Sequence, residues 1–237
     1  FKALRAILNR ANAEGVGSVA TYPFGRGGFE VSKLEEATAK RYLPATELSK
    51  LKSTTASNPQ CEYARKLFLF SYYCYGISFI DMAMLTTAHI KQMEDGDYIV
   101  YKRQKIKRQK GVKPISIKIT PAIRQLIGSL QAASPTVDDF LLPIVTRSGY
   151  TGERLYMHIR TRYSKYQKYL RLLAEELGID FHLTSYVSRH TAAMTLQRNH
   201  IPREVISQML GHADLETTNI YLDSFDNEVI NEAAKVL

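Results

Sequence analysis

Most of the chain has the apolar spacing of α-helices, and only one short stretch has the character of β-strands. Apolar side chains recur every three or four residues over long segments such as 62–75 and 156–177. By contrast, residues 98–101 and 114–119 are rich in β-branched and aromatic side chains, and Gly111 lies between them near a turn. The sequence therefore predicts a mainly α-helical α+β fold with one small antiparallel β-sheet.

Glycine, proline and capping residues predict where several helices begin and end. Gly76 follows the apolar stretch 62–75 and is expected to end that helix. Ser78 and Asp81 have the spacing of a capping box, which predicts a short helix that begins at Ser78. Pro202 is expected at the first position of a helix that Gly211 ends. Further helices are predicted at residues 1–13, 121–130, 184–199, 214–222 and 226–237.

The chain is strongly basic, and part of its positive charge is concentrated in two segments. The formal net charge is +9 and the isoelectric point is about 9.4. Residues 102–113 contain seven lysines and arginines, residues 154–171 contain six, and neither segment contains an acidic residue. Such clusters neutralise DNA phosphates, although a basic face that only contacts solvent is the alternative. The sequence therefore favours double-stranded DNA as the partner.

Other classes of protein are disfavoured by what the sequence lacks. There is no uncharged apolar run of about 18 residues, so we expect no membrane span. Cys61 and Cys74 form neither a metal-binding motif nor a disulfide framework, and core thiols in a reducing compartment are the better interpretation. We therefore predict no metal site and no cofactor.

The last quarter of the chain contains three short motifs that are specific in combination. They are Ser-Arg-His-Thr at 188–191, Gln-Met-Leu-Gly-His at 208–212 and Thr-Thr-Asn-Ile-Tyr at 217–221. Together they resemble the second catalytic box of the tyrosine recombinases, the family of phage-type integrases. In that family an arginine lies on a helix, a Leu-Gly-His turn follows, and a tyrosine comes nine positions after the histidine. His212 and Tyr221 have this separation.

The resemblance implies strand cleavage through a covalent 3′-phosphotyrosyl intermediate, followed by rejoining. Tyr221 would be the nucleophile, Arg189 would contact the non-bridging phosphate oxygens in a two-pronged manner, and His212 would donate a hydrogen bond to the same phosphoryl group. Because the covalent link conserves the energy of the broken bond, the reaction would need neither metal nor ATP.

The leaving 5′-oxygen requires a general acid, which the resemblance assigns to a lysine in the β-hairpin loop. The segment Tyr-Lys-Arg-Gln-Lys at 101–105 makes Lys105 the candidate. Lys107 and Lys110 remain alternatives, because the loop is rich in lysine. A further alternative is that Lys105 only contacts the DNA backbone.

Two positions depart from the family pattern. Ser78 stands where the family has its first arginine, while Asp81 matches the acidic residue that follows; a helix cap is the favoured role for Ser78. We predict that Arg103, on the hairpin, supplies the missing positive charge. Tyr186 stands three residues before Arg189, where a histidine or lysine is usual; its hydroxyl could contact phosphate. A serine at the first position resembles integrases of conjugative transposons and similar bacterial mobile elements.

The resemblance covers residues 43–237, which we predict to be the catalytic domain. Residues 1–13 would be the last helix of a truncated core-binding domain, and residues 14–42 the linker. The family further implies a homotetramer on DNA, possible accessory DNA-bending proteins, no membrane association, and a bacterial cytoplasmic, nucleoid-associated location. Integration or excision of a mobile element is the expected role. A type IB topoisomerase and a non-catalytic DNA-binding protein derived from an integrase are the alternatives.

Overall fold

The computed structural model describes residues 1–25, 28–30, 42–107, 111–212 and 218, and it divides the chain into two compact units. The smaller unit, residues 1–39, contains helix α1 (Lys2–Ala13) and a single 3₁₀ turn at Val19–Thr21 among its described residues. The larger unit, residues 40–237, contains the other elements. Its helices and strands, in chain order, are α2 (Ala45–Ser53), α3 (Pro59–Tyr73), α4 (Phe79–Ala83), β1 (Ile90–Met93), β2 (Gly96–Tyr101), β3 (Ile115–Lys118), α5 (Pro121–Ala133), α6 (Gly152–Glu176), α7 (Ser185–Arg198) and α8 (Arg203–Leu210).

Helix α3 lies at the centre of the larger unit and packs against α5, α6 and α7. Its side chains are buried around most of its circumference, and Leu67, Phe68 and Phe70 are completely inaccessible to solvent. A helix that is apolar on nearly all sides must be covered on all sides, which explains its central place. Asn58 begins α3 by accepting hydrogen bonds from two backbone amides, and Pro59 occupies the first turn.

The three strands form one antiparallel sheet in the order β1–β2–β3. Ile99 pairs with Ile117 and Tyr101 pairs with Ile115, and all four side chains are buried. The predicted hairpin and the mainly helical α+β fold are therefore confirmed. Strand β1 was not predicted, because its segment Ile-Lys-Gln-Met lies at a sheet edge with mostly exposed side chains and lacks the alternation that marks a half-buried strand.

The helix boundaries follow the capping signals with small differences. Helix α4 begins after Ser78, whose hydroxyl accepts a hydrogen bond from the Asp81 amide, as the capping spacing predicts. Gly211 ends α8 in the left-handed conformation, with φ of +65°. Pro202 precedes α8 as its N-cap rather than occupying the first helical position, and this prediction was off by one residue.

The predicted helices at 214–222 and 226–237 lie outside the described residues, apart from Thr218, which is helical. Within the described part of the chain, no helix combines the length and the apolar character needed to cross a bilayer.

Candidate active site

Arg189 projects from α7 and is almost completely buried, with 4% of its surface exposed. Its Nη1 donates to the carbonyl oxygen of Gly76 at 3.0 Å, and its Nη2 donates to the carbonyl oxygen of Leu210 at 2.5 Å. One carbonyl belongs to the turn between α3 and α4, and the other to the last residue of α8. The guanidinium group is therefore held in one orientation by two separate parts of the chain.

The turn at Gly76 lies so close to Arg189 that no side chain fits there. A Cβ atom on Gly76 would lie 2.4 Å from Cα, 2.5 Å from Cβ and 2.6 Å from Cγ of Arg189. The backbone of Gly76 also has a φ of +72°, which disfavours any residue other than glycine. The sequence indicated Gly76 as a helix stop, and the structure adds that it packs directly on the backbone of the arginine helix.

His212 joins Arg189 in a chain of hydrogen bonds. Nη2 of Arg189 lies 2.8 Å from Nε2 of His212, and Nδ1 of His212 lies 2.8 Å from Oγ1 of Thr218. A guanidinium group can only donate, so Nε2 must accept this bond and Nδ1 must carry the proton that Thr218 accepts. In this arrangement the imidazole is neutral, and its orientation is fixed from both sides.

Arg103 lies in the loop that follows β2 and reaches the same region. Its Nη1 donates to the carbonyl oxygen of Gly211 at 3.3 Å, next to His212 in the chain. The fit is close, because a Cβ atom on Gly211 would lie 3.3 Å from Cδ of Arg103 and would collide with Ile115 of β3. Two arginines from different elements therefore contact the Leu-Gly-His turn.

Asp81 fixes the loop that carries Arg103 and Lys105. The carboxylate is buried on α4, where Oδ2 accepts a bond from the Ser78 hydroxyl at 2.6 Å and Oδ1 accepts one from the Gln104 amide at 2.7 Å. Ser78 is thus both the cap of α4 and a donor to Asp81. Its hydroxyl is used within the protein fold, and it supplies no charge to the site.

Four of the predicted site residues line one open cavity with a volume of about 400 Å³. These are Ser78, Arg103, Tyr186 and Arg189. The other side chains and backbone segments of the lining are Gly76, Phe79, Ile80, Tyr156, Ile159, Arg160, Tyr163 and Ser185. The structure therefore brings to one surface both arginines and the two residues that differ from the family pattern, Ser78 and Tyr186.

The predicted general acid is not among the residues that line the cavity. Lys105 is exposed on the hairpin loop, and within the described residues it forms neither a hydrogen bond nor an ion pair. Lys107 is exposed in the same way. Lys110 and Tyr221 lie outside the described residues, so their predicted roles concern atoms that the structure does not describe.

Sequence reasoning did not identify the contribution of α6 to the cavity. Tyr156, Arg160 and Tyr163 all line it, and so does buried Ile159 from the same helix. Their spacing of three and four residues places them on one helical face. This spacing was visible in the sequence, but the cluster 154–171 was interpreted only as a basic surface.

Comparisons with known proteins agree on one family. Residues 41–228 match the phage integrase family. The tyrosine recombinase XerD of Halalkalibacterium halodurans is 43% identical over 54 residues, which are 23% of this chain and 18% of the relative. The tyrosine recombinase XerC of Rhodospirillum centenum is 31% identical over 114 residues, which are 48% of this chain and 31% of the relative. The chain thus matches less than a third of the length of these curated relatives.

Solved structures show the same fold at low sequence identity. The crystal structure of XerA recombinase has a TM-score of 0.57 and 21% identity, and the match covers 85% of this chain and 65% of that one. The Tn1549 transposon integrase in complex with a circular intermediate DNA has a TM-score of 0.64 and 12% identity, and the match covers 100% of this chain and 77% of that one.

Proposed function

Because this chain belongs to the phage integrase family, we propose that it is a site-specific DNA recombinase that cuts and rejoins strands through Tyr221. The observation that carries the proposal is the buried Arg189, held by backbone carbonyls and bonded to His212, with Arg103 on the wall of the same cavity. Fixed cations beside an open cavity suit a reaction in which negative charge builds up on a phosphate.

The covalent step would proceed as a displacement at phosphorus. The phenolic oxygen of Tyr221 loses its proton and forms a bond to phosphorus, and the bond between phosphorus and the 5′-oxygen breaks as that oxygen takes up a proton. The products are a 3′-phosphotyrosyl link and a 5′-hydroxyl. That hydroxyl, or one from a partner strand, then attacks phosphorus and releases the tyrosine. One phosphoester replaces another at each step, so the proposed reaction requires neither ATP nor an oxidant or reductant.

Each cation would have its own task in this reaction. Arg189 would bind the non-bridging oxygens, since a guanidinium group matches two oxygens at once. Arg103 would replace the arginine that the family has at the position of Ser78, because its guanidinium reaches the Leu-Gly-His turn and lines the cavity. Lys105 would protonate the leaving 5′-oxygen. Its exposed position on the hairpin loop allows a long side chain to move toward bound DNA.

The basic face of α6 supports DNA as the partner. Arg154, Arg160, Lys165, Lys168 and Arg171 are all exposed along this helix. Among the solved neighbours, XerH is bound to its difH substrate and the Tn1549 integrase to a circular intermediate DNA. By extension from these complexes, we propose double-stranded DNA as the substrate and a mobile genetic element as its source. A homotetramer on DNA and accessory bending proteins remain predictions from the family.

The proposal is tested by covalent capture on nicked duplexes. A library of nicked duplexes with random flanking sequence is incubated with the chain in the presence of a chelator, and adducts are recovered after denaturation with detergent. We expect adducts that are lost in Tyr221→Phe and kept in Tyr150→Phe. Tyr150 is a suitable control because it packs against His158 and does not line the cavity.

The outcomes separate the candidate functions. Adducts that persist in Tyr221→Phe would assign the nucleophile to another residue and refute the mechanism. If the native chain, Tyr221→Phe and Tyr150→Phe all bind the library and none forms an adduct, the chain would instead be a non-catalytic DNA-binding protein. Sequencing the captured duplexes would also give the recognition sequence.

A further inference from the structure

Besides the arginines and Ser78, the cavity that contains Arg189 is lined by aromatic and aliphatic side chains. We propose that these side chains hold an unstacked nucleobase of a nucleotide next to the scissile phosphate. The inference rests on the proposed function, and it specifies which part of the DNA enters the cavity. It predicts local opening of the duplex at the cleavage site.

Six of the residues that line the cavity are aromatic or aliphatic. Phe79 and Ile80 come from α4, Tyr156, Ile159 and Tyr163 come from α6, and Tyr186 comes from α7. Tyr156 and Tyr186 are 59% and 52% exposed, so two of the rings that line the cavity are largely in contact with water. Exposed aromatic rings beside basic side chains are the usual platform on which proteins stack unpaired bases.

Two of the rings that line the cavity, Phe79 and Tyr163, are held by contacts within the protein. The ring of Phe79 stacks on buried Tyr166, with centroids 5.1 Å apart, and lies 5.3 Å from the ring of Tyr163. The Tyr163 hydroxyl lies 3.1 Å from Oγ of Ser185 and accepts a bond from Nε2 of Gln167, also at 3.1 Å. A base that enters would therefore meet a surface that loses little conformational entropy on binding.

The charge of the cavity matches a nucleotide rather than an apolar ligand. Arg103, Arg160 and Arg189 line it, and none of its described lining residues is acidic. The arginines would face the sugar-phosphate backbone while the rings face the base. The volume of about 400 Å³ falls in the range of about 300–1,000 Å³ that is typical of sites for small organic molecules. A regular duplex keeps its bases stacked inside, so only an unstacked base could use this concave surface.

The test compares the binding of three nicked duplexes that share one sequence containing all four bases and differ only beside the nick. The first is fully paired, the second carries one unpaired thymine beside the nick, and the third carries an unpaired abasic residue at the same place. We expect the thymine probe to bind about tenfold more tightly than the other two, the size of effect typical of one base stacked on an aromatic side chain. The abasic probe controls for the extra flexibility that any bulge gives to the duplex.

Variants assign the effect to the cavity. Tyr156→Ala and Tyr186→Ala should each reduce the preference for the thymine probe severalfold, and the double variant should abolish it. Met157→Ala is the matched control and should keep the preference. Met157 is 49% exposed, lies next to Tyr156 on α6 and does not line the cavity. Because these residues are at the surface, the variants are expected to fold, which circular dichroism would verify.

Photocrosslinking locates the base directly. With 5-iodouracil in place of the unpaired thymine, we expect crosslinks to Tyr156, Tyr163 or Tyr186 by mass spectrometry. Crosslinks elsewhere, or equal binding of all three probes, would overturn the base site while Tyr221 adducts could still support the recombinase. Preference for the thymine probe with cavity crosslinks but no Tyr221 adducts would support the base site and refute the recombination chemistry. Equal loss of binding to every probe in the tyrosine variants would mark an ordinary DNA contact and also overturn the proposal.

Discussion

Replacing Gly76 by alanine should destabilise the protein through a direct clash with Arg189. The new Cβ atom would lie between 2.4 and 2.6 Å from three atoms of Arg189, one of which belongs to the backbone. Neither partner can move freely, because the arginine is buried and its guanidinium is bonded to the carbonyl of Gly76 itself. The substitution therefore affects both the turn after α3 and the orientation of the arginine.

Two terms contribute to the expected decrease in the free energy of unfolding. A residue other than glycine in the left-handed region costs about 1–3 kcal/mol. Forcing a methyl group into a packed site adds about 1–3 kcal/mol. The sum is about 2–6 kcal/mol, and since a loss of 1 kcal/mol lowers the melting temperature of a domain this size by about 2–4 °C, we expect a decrease of roughly 10 °C.

A matched substitution separates the two terms. Gly149 has a φ of +71°, nearly the same as the +72° of Gly76, but a Cβ atom there would meet nothing within 4 Å. Gly149→Ala should therefore show only the backbone term. Gly128→Ala, in the middle of α5 with open space around it, should stabilise the protein by about 0.5–1 kcal/mol. The assays are urea unfolding for the free energy of unfolding and thermal unfolding for the melting temperature, both followed by circular dichroism. If Gly76→Ala is no more destabilising than Gly149→Ala, the close packing of Gly76 on Arg189 is refuted.

Three further predictions concern the loop and the α6 region. Arg103→Ala should slow adduct formation roughly a hundredfold or more, as expected for losing one charge-stabilising donor, whereas exposed Lys102→Ala should change it little; similar small effects would make Arg103 an ordinary phosphate contact. Lys105→Ala should be severely impaired on a normal phosphodiester and largely rescued by a 5′-bridging phosphorothiolate, because a thiolate leaves without a proton; rescue of Lys107→Ala or Lys110→Ala instead would move the general acid. Burial, then the charges of Arg162, Arg147 and Lys165, lowers the pKa of His158. As the pH is lowered from about 6.5, the unfolded state therefore binds more protons than the folded state. Stability should decrease over that range as the pH is lowered, and more steeply in the native chain than in His158→Asn. Equal slopes would contradict this.

The sequence was sufficient for the family and for most of the fold. Residues 188–191 and 208–221 carried the family resemblance, which the match over residues 41–228 confirms. Ser78 and Asp81 predicted the start of α4, because an N-cap depends on side chains only three residues apart. Strand β1 was missed because its partner on β2, not its own pattern, holds it in the sheet. Short sequence patterns predict structure that depends on neighbouring residues, whereas an edge strand depends on pairing with another strand.

The cavity could not be predicted because it depends on how distant elements pack. The turn at residues 76–78, Arg103 on the hairpin, α6 and α7 meet only in the folded chain, across more than a hundred positions of sequence. The contact between Gly76 and Arg189 is an example, since a helix-ending glycine has the same sequence signature whether or not an arginine covers it. The predicted roles of Tyr221, Lys105 and the other site residues stay predictions until the variants are measured.

The bond between Arg189 and His212 has a consequence for how a phosphate would enter the site. In the protein without DNA, Nε2 of His212 accepts from the guanidinium, so it has no proton to give to a phosphate oxygen. Phosphate oxygens only accept, and the proposed mechanism requires both side chains to donate. The imidazole must therefore gain a proton or change its tautomer when DNA binds. The Thr218 hydroxyl can accept from Nδ1 or donate to it. It can thus keep its hydrogen bond in either tautomer, and the imidazole can become a donor at Nε2 with no net gain of a proton, provided that one proton leaves Nδ1 as another reaches Nε2.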